Sequence, residues 1–388
     1  MQKIKLVDFA GLESLLSSEE VLVMNNTRDF VNKEIIPIID ECYMQAKFPA
    51  ELIPKLGAMG FLGAPLEGHG CPGLGYVAYG LINMMLEAAD SAMRSFNSVQ
   101  TSLVMLPISE FGTEAQKSKW LAQLAAGTAI GCFGLTEPDH GSNPSDMETR
   151  AEKIPNGYKL NGAKMWITNG SVADIAVVWA KLDGRIRGFL VEKNSPGFST
   201  KLMTNKHSLR ASVTSELIFA DCIIPETNLL PKTDGLKSPF TCLNSARLGI
   251  AWGSIGAAMA CYQTALDYAM TRVQFNNQPI ASHQLIQLSL ADMISEITKA
   301  QFLTLHITRL KEKGTIKPEH ISMLKRNNVR MALDVSRKSR DILGANGISA
   351  EYPVMRHMCN LESVLTYEGT ENIHTLIIGK SLTGISAF

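Results

Sequence analysis

The feature that most constrains the fold is a long, regular stripe of apolar residues in the last third of the chain. Its members recur at steps of three or four: Ile286, Leu290, Met293, Ile297, Ala300, Leu303, Ile307 and Leu310. This spacing predicts one long amphipathic helix whose apolar side packs against other elements. Because several helical patterns follow one another here, we expect a bundle of antiparallel helices, with some faces reserved for other subunits.

The pattern changes in the middle third of the chain. Between about residues 131 and 230 it shortens to strand-like runs such as Ile175–Trp179 and Phe189–Val191. The first third has helical stretches separated by breakers, of which the glycine-rich residues 68–73 predict a surface turn. The chain is therefore predicted to be α+β, with a helical domain at 1–127, a β-domain at 128–233 and a helical domain at 234–388.

Composition excludes several partners. Lys plus Arg and Asp plus Glu each number 37 in the 388 residues, so no overall field attracts nucleic acid or an anionic membrane. The seven cysteines are scattered and never spaced as C-x-x-C, which indicates reduced thiols and no metal site.

No targeting segment is visible in the sequence. The apolar stretch Leu248–Cys261 is too short to cross a bilayer and predicts a packed internal helix. We expect a cytoplasmic bacterial protein, or one of the mitochondrial matrix if a presequence has been removed.

Two polar stretches of the middle third are candidates for ligand contact. Residues 131–142 combine hydroxyls with glycines, whose exposed amides can bond the edge of a heterocycle without adding charge. Residues 164–169 add a further hydroxyl and the flat ring of Trp166, although a buried tryptophan belongs to the core more often than to a cofactor wall.

A third candidate is Glu368, which stands beside Gly369 just before a helical pattern that begins near Glu371. A carboxylate next to a glycine at a helix entrance can approach a ligand closely, which makes Glu368 a candidate base. On position alone, a solvated acid that stabilises the helix N-terminus is the more common role.

The whole chain resembles the acyl-CoA dehydrogenase family. Four motifs carry the resemblance: Leu135-Thr136-Glu137-Pro138, Trp166-Ile167-Thr168, Arg272-Val273-Gln274-Phe275 and Tyr367-Glu368-Gly369-Thr370. Within the family it is most similar to glutaryl-CoA dehydrogenases, through Met93-Arg94-Ser95, residues 131–134, residues 242–247 and Thr383-Gly384-Ile385. The resemblance implies an N-terminal helical domain, a middle β-barrel-like domain and a C-terminal four-helix bundle.

The resemblance also implies a flavin adenine dinucleotide (FAD) cofactor between the β-domain and the bundle, in a homotetramer whose subunits share the adenine half. The residues that would contact the flavin are Phe133, Leu135, Thr136, Gly141, Ser142, Trp166, Ile167 and Thr168. Those that would serve the phosphates and the adenine half are Thr370, Asn372, Arg272, Phe275, Gln284, Asp341, Leu343, Gly344 and Ala345.

For catalysis, the resemblance implies that Glu368 removes the α-proton of an acyl-CoA thioester, and that electrons pass from the flavin to an electron-transfer flavoprotein. The residues that would contact the substrate are Glu87, Arg94, Ser95, Ser142, Asn244, Arg247, Tyr367 and Gly369. Because a distal carboxylate is costly in an apolar pocket unless it is paired, Arg94 favours a dicarboxylic substrate. The expected reaction is oxidative decarboxylation of glutaryl-CoA to crotonyl-CoA and CO2.

The sequence departs from the subfamily pattern at four places, and two alternative functions therefore stay open. Met93 stands where Tyr is usual, Asn276-Asn277 adds a residue, Ala345 replaces a glycine, and Glu371-Asn372 replaces His-Asp. One alternative is a short-chain or branched-chain acyl-CoA dehydrogenase, in which Arg94 is incidental. The other is an inactive family member that acts as a binding or assembly protein and has lost its flavin affinity.

Overall fold

The computed structural model describes residues 3–387, and its first part is helical as predicted. Helices α1 to α7 comprise Ser18–Phe30, Ile39–Met44, Ile53–Ala58, Gly75–Ala89, Ser91–Ser98, Leu106–Phe111 and Glu114–Ala126. A π-helical segment, Val99–Met105, joins α5 to α6. Helix α1 begins at a reciprocal capping box between Ser17 and Glu20, the arrangement that satisfies free amides at a helix start. The segment predicted as a surface turn, residues 68–73, lies in a small hairpin in which His69 and Gly70 form the turn between β1 (Glu67–Gly68) and β2 (Cys71–Pro72).

The middle part is a curled seven-stranded half-barrel, in agreement with the expected β-barrel-like domain. Strands β3 to β9 comprise Gly131–Gly134, Arg150–Ile154, Gly157–Thr168, Ile175–Leu182, Arg185–Glu192, Phe198–Leu202 and Thr214–Pro225. Their order in the sheet is β3-β6-β4-β5-β9-β8, and β7 pairs with β6. The predicted domain boundaries after residues 127 and 233 stay predictions, although the strands begin and end close to them.

The last part is the expected helical bundle. Helices α8 to α12 comprise Lys237–Thr271, Gln284–Glu312, Pro318–Ile342, Val354–Thr366 and Glu371–Thr383, and a hairpin of β10 (Val273–Gln274) and β11 (Gln278–Pro279) joins α8 to α9. Helices α8, α9, α10 and α11 pack together, and α12 lies on α10. The apolar stripe is the packed side of α9, with Met293, Ile297, Ala300 and Ile307 buried.

Helix α8 passes through the centre of the molecule against α4. Every residue of Leu248–Cys261 is buried, which confirms the predicted internal helix. The approach requires glycine, because a Cβ atom at Gly256 would lie 1.8 Å from the carbonyl oxygen of Met84. All seven cysteines are free thiols, as expected. Within the described part of the chain, no helix is long and apolar enough to cross a membrane.

Candidate active site

Glu368 lies in the tight connection between α11 and α12. Its backbone has a left-handed φ of 53° and that of Gly369 has a φ of 96°. A Cβ atom at Gly369 would lie 2.9 Å from Nε2 of His374, so only glycine fits there without displacing its neighbours. The hydroxyl of Thr370 accepts from the amide of Ile373 at 3.3 Å and caps α12. Gly369 is therefore required by the backbone conformation and close packing of the turn, in addition to leaving space for a ligand beside the carboxylate.

Two buried cations hold this loop. Arg247 of α8 donates through Nε to the carbonyl of Glu368 at 2.7 Å, and through Nη1 to Asn244 at 3.0 Å. Nζ of Lys325 on α10 donates to three backbone carbonyls, those of Leu365 at 3.2 Å, Tyr367 at 2.9 Å and Gly369 at 2.7 Å. Arg247 and Asn244 were predicted from the sequence, whereas Lys325 was not. Its position inside α10, 43 residues before Glu368, gave no local signal.

The carboxylate of Glu368 has the electrostatic setting of a base. Its Oε2 atom is enclosed and has no hydrogen-bond partner within residues 3–387. Burial raises the pKa of Glu368 above its ordinary value, while the charges of Arg94, Arg247 and Lys325 act in the opposite direction. A raised pKa brings a carboxylate closer to the strength that a general base needs at neutral pH.

A second network adjoins the loop. Nε of Arg94 donates to Glu87 Oε2 at 2.5 Å, and Nη2 donates to the hydroxyl of Tyr367. Glu87 also accepts from Ser91 at 2.7 Å. Burial opposes the charge of Arg94, but Glu87 outweighs it and raises the pKa of the guanidinium further. Arg94 is thus no surface arginine: its side chain is only 1% exposed.

The surroundings of the Arg94–Glu87 pair are closely packed. Ser95 follows Arg94 on α5 and is 3% exposed. A Cβ atom at Gly253 of α8 would lie 2.0 Å from Oε2 of Glu87, so a glycine that the sequence analysis did not single out makes room for the ion pair. Asp90, the other acid near Arg94 in sequence, pairs with Arg356 at 2.6 Å instead.

On the β-domain, the geometry favours a flat ligand at Trp166. The pairing of β5 with β9 shifts register between Lys164 and Ile167, and Trp166 in this bulge has a φ of 63°. Bulges re-aim side chains, and here the ring is 60% exposed while Ile167 is 3% exposed. An exposed indole held by a strained backbone fits a ring-stacking role and excludes the core role of a buried tryptophan.

The loop before this bulge is fixed by a buried ion pair that the sequence analysis also missed. Glu137 accepts from Lys164 Nζ at 2.8 Å and from the amides of Glu148 at 2.6 Å and Thr149 at 2.9 Å. Burial acts against ionisation, but Lys164 lowers the pKa of Glu137 to about 2. Lys164 also bonds the carbonyl of Leu135 at 3.1 Å. The pair therefore orders the segment that carries the flavin candidates Leu135 and Thr136.

The other flavin candidates divide by burial. The ring of Phe133 is buried edge-on against Trp179, with 6.0 Å between ring centroids, so Phe133 can offer a ligand mainly its backbone. Thr136 and Thr168 are half-buried, and Gly141 and Ser142 are exposed. This arrangement leaves hydroxyls and amides accessible around the exposed indole.

Arg272 and Phe275, predicted for the adenine half, lie far from Glu368 within one chain, whereas Thr370 and Asn372, predicted for the phosphates, follow Glu368 within four residues. Arg272, Phe275, Gln284, Asp341, Gly344, Ala345 and Asn372 are exposed, and only Leu343 of this set is buried. Arg272 follows the last residue of α8, and Arg247 lies 25 residues earlier, which corresponds to about 38 Å of helix. Phe275, Asn276 and Asn277 have left-handed backbones with φ of 45°, 51° and 57°. One subunit does not bring the two halves of the predicted cofactor site together.

Profiles of three acyl-CoA dehydrogenase domains match the chain: the N-terminal domain at residues 17–128, the middle domain at 132–222 and the C-terminal domain at 233–383. The chain therefore belongs to the acyl-CoA dehydrogenase family. The family is FAD-dependent, so FAD is the cofactor of this chain, and the exposed indole and its accessible neighbours suit a flavin ring.

Individual members of the family are similar to this chain in sequence and in structure. An acyl-CoA dehydrogenase from Bacillus subtilis (strain 168) is 38% identical over 95% of this chain and 99% of its own length. A short-chain-specific acyl-CoA dehydrogenase from Megasphaera elsdenii is 35% identical over 91% of this chain and 95% of its own. A glutaryl-CoA dehydrogenase from Mycobacterium smegmatis is 51% identical, with a TM-score of 0.96 over 97% of this chain and 98% of that one. Another structure of a glutaryl-CoA dehydrogenase from that organism, in complex with FADH2, is 48% identical with a TM-score of 0.95 over 97% of both chains.

Proposed function

We propose that this acyl-CoA dehydrogenase oxidises and decarboxylates glutaryl-CoA, with Glu368 as the base. The observation that carries the proposal is the buried Arg94–Glu87 pair bonded to Tyr367, the residue next to Glu368. Arg94 is a buried guanidinium beside the catalytic loop. A guanidinium there can pair the distal carboxylate of a dicarboxylic substrate, which would be costly to bury without a partner. The similarity to glutaryl-CoA dehydrogenases at about half identity agrees with this assignment.

The chain's own residues supply the proton chemistry. Glu368 removes a proton from Cα of the thioester, and its pKa, raised by burial, brings it closer to the strength this step needs. Bound FAD supplies the acceptor for the hydride that leaves Cβ. Breaking the bond between Cγ and the distal carboxylate then releases CO2, and the electron pair delocalises toward the thioester. A proton returned from Glu368 to Cγ gives crotonyl-CoA.

The substrate test compares three thioesters on the flavin-loaded protein. Glutaryl-CoA is expected to bleach the flavin and to yield equal amounts of CO2 and crotonyl-CoA. Butyryl-CoA and pentanoyl-CoA, which lack the distal carboxylate, are expected to react more slowly, and pentanoyl-CoA matches the chain length. Faster oxidation of butyryl-CoA would overturn the proposal, and bleaching without CO2 would indicate a dehydrogenase that does not decarboxylate.

The second candidate is a short-chain acyl-CoA dehydrogenase. The relative named as short-chain specific and the Met93 departure favour it. In that case the same panel would rank butyryl-CoA first, and Arg94 would matter for stability alone. A colourless purified protein would instead support the binding or assembly role.

The oligomeric state, the electron acceptor and the cellular location are also part of the proposal. We infer that a second subunit completes the cofactor site, because Arg272 lies beyond the end of α8 and far from Glu368 of the same subunit, and we propose the homotetramer that the family resemblance implies. An electron-transfer flavoprotein is the proposed electron acceptor. A cytoplasmic location, or a mitochondrial one after removal of a presequence, stays a prediction.

A further inference from the structure

Lys325 is a buried lysine whose hydrogen bonds all go to the loop that carries the catalytic carboxylate. It is 1% exposed, and its acceptors are the carbonyls of Leu365, Tyr367 and Gly369. These carbonyls alternate along the backbone on both sides of Glu368. A single ammonium group therefore ties the last turn of α11 to the strained turn before α12.

The number of acceptors indicates which form of the lysine is required. An ammonium group has three N–H donors, whereas a neutral amine has two, so only the charged form satisfies all three carbonyls. Burial lowers the pKa of Lys325 to about 7, and the nearby Glu368 carboxylate opposes that shift while Arg247 adds to it. Charge and loop geometry are therefore linked at this residue.

The loop needs such support because its backbone is unfavourable. The backbone of Glu368 is in the left-handed region, which is unfavourable for any residue other than glycine. Such a conformation persists only where the surrounding structure imposes it. Arg247 holds the carbonyl of Glu368 itself, and Lys325 holds the carbonyls on either side. Without Lys325, the turn retains one of its two buried cationic contacts.

We propose that Lys325 is a positioning residue for the reaction: its ammonium group fixes the turn that carries Glu368, and its charge keeps the Glu368 carboxylate ionised. The proposal rests on the assignment of Glu368 as the base and not on the identity of the acyl group. The charged and titratable groups that face this turn are Arg247 on α8, Arg94 on α5, Glu87 on α4, Glu371 and His374 on α12, and Tyr367 and Glu368 themselves.

The chain offers a matched control. Lys206, between β8 and β9, is another largely enclosed lysine with three acceptors: the carbonyls of Leu209 at 3.0 Å and Ser212 at 2.8 Å, and the hydroxyl of Thr214 at 2.7 Å. Burial lowers its pKa to about 8. Lys206→Met therefore removes a comparable set of bonds from a loop that does not carry the base.

The kinetic test uses whichever acyl-CoA thioester the wild-type holoenzyme oxidises fastest. Lys325→Met is expected to lower kcat at least roughly tenfold with little change in KM, and to move the acidic limb of kcat/KM to higher pH by about one unit, because Glu368 loses a neighbouring cation. Lys325→Gln, which keeps two donors without charge, is expected to show the same pH shift with a smaller loss of kcat. Lys206→Met should leave the limb where it is.

A second readout does not depend on turnover. Hydrogen–deuterium exchange of peptides covering residues 361–376 is expected to accelerate in Lys325→Met and to stay unchanged in Lys206→Met. An unshifted limb in both Lys325 variants, or unchanged exchange, would overturn the proposal. So would loss of folding in both Lys325 variants while Lys206→Met folds, since Lys325 would then be a residue of the fold alone. A preference for butyryl-CoA would overturn the glutaryl-CoA assignment without affecting the proposal for Lys325.

Discussion

At the scale of single residues, the Glu368 carboxylate is buried and lies near three cationic side chains. Burial alone would protonate it, and the cations alone would make it a very weak base. Together they leave its pKa raised but opposed by Arg94, Arg247 and Lys325. The enclosed Oε2 atom, which has no hydrogen-bond partner among residues 3–387, can take the proton of a substrate.

Glu368→Gln is expected to keep flavin and acyl-CoA binding and to lower the rate of flavin bleaching by about 10²- to 10⁴-fold, since the amide cannot accept the proton. In the wild type, kcat/KM should rise with pH through the raised pKa of Glu368, because only the ionised form acts as base. Stopped-flow absorbance across pH measures both. Glu362→Gln removes an exposed acid of α11 that pairs with Arg337 at 2.8 Å, and is the control expected to retain activity.

Arg94→Gln is expected to lower kcat/KM for glutaryl-CoA by roughly 10- to 100-fold relative to butyryl-CoA, the value of a hydrogen bond to a charged group. It also leaves Glu87 buried and unpaired, which costs about 3–5 kcal/mol of stability. The double variant Glu87→Gln with Arg94→Gln should recover much of the stability without recovering the preference for glutaryl-CoA. A double variant that regained the preference would show that Arg94 does not read the distal carboxylate.

At the scale of elements, periodicity predicted the helices and strands well, because the apolar side of α9 and the runs of β6 and β7 follow from burial along one element. It also placed the turn before α12, since a glycine beside Glu368 is a local signal. The features it missed depend on distant partners or on backbone distortion. Lys325 reaches the loop from another helix, and the bulge at Trp166 arises from register between β5 and β9.

Helix α8 should tolerate very little at its contact with α4. Gly256→Ala would bring a Cβ atom against the backbone carbonyl of Met84, which cannot move as a side chain can, so a loss of about 1–3 kcal/mol is expected. In Gly379→Ala on α12, the new Cβ atom would meet nothing within 4 Å in the described part of the chain, and the change should be neutral or stabilising by about 0.5–1 kcal/mol. Chemical denaturation measures both, and equal stabilities for the two variants would contradict the close α4–α8 contact.

At the scale of the whole molecule, the proposed site has two separated halves. Glu368 is bonded to Arg247 in the first half of α8, and Arg272 and Phe275, predicted for the adenine half, lie beyond the end of that helix. The three consecutive left-handed residues Phe275–Asn277 present a phenyl ring that is 76% exposed. Sequence similarity implied shared sites between subunits, and the length of α8 gives a physical reason for them.

Assembly and flavin retention should therefore be lost together. Phe275→Asp places a charge where an exposed ring is proposed to meet a second subunit, and is expected to shift the protein toward smaller species and to lower its flavin content in parallel. Phe9→Asp changes a ring that is 77% exposed near the start of the chain and serves as the control, expected to alter neither. Light scattering coupled to size exclusion gives the mass, and the ratio of flavin to protein absorbance gives the occupancy. A Phe275→Asp protein that dissociates yet keeps its full flavin complement would contradict a cofactor site shared between subunits.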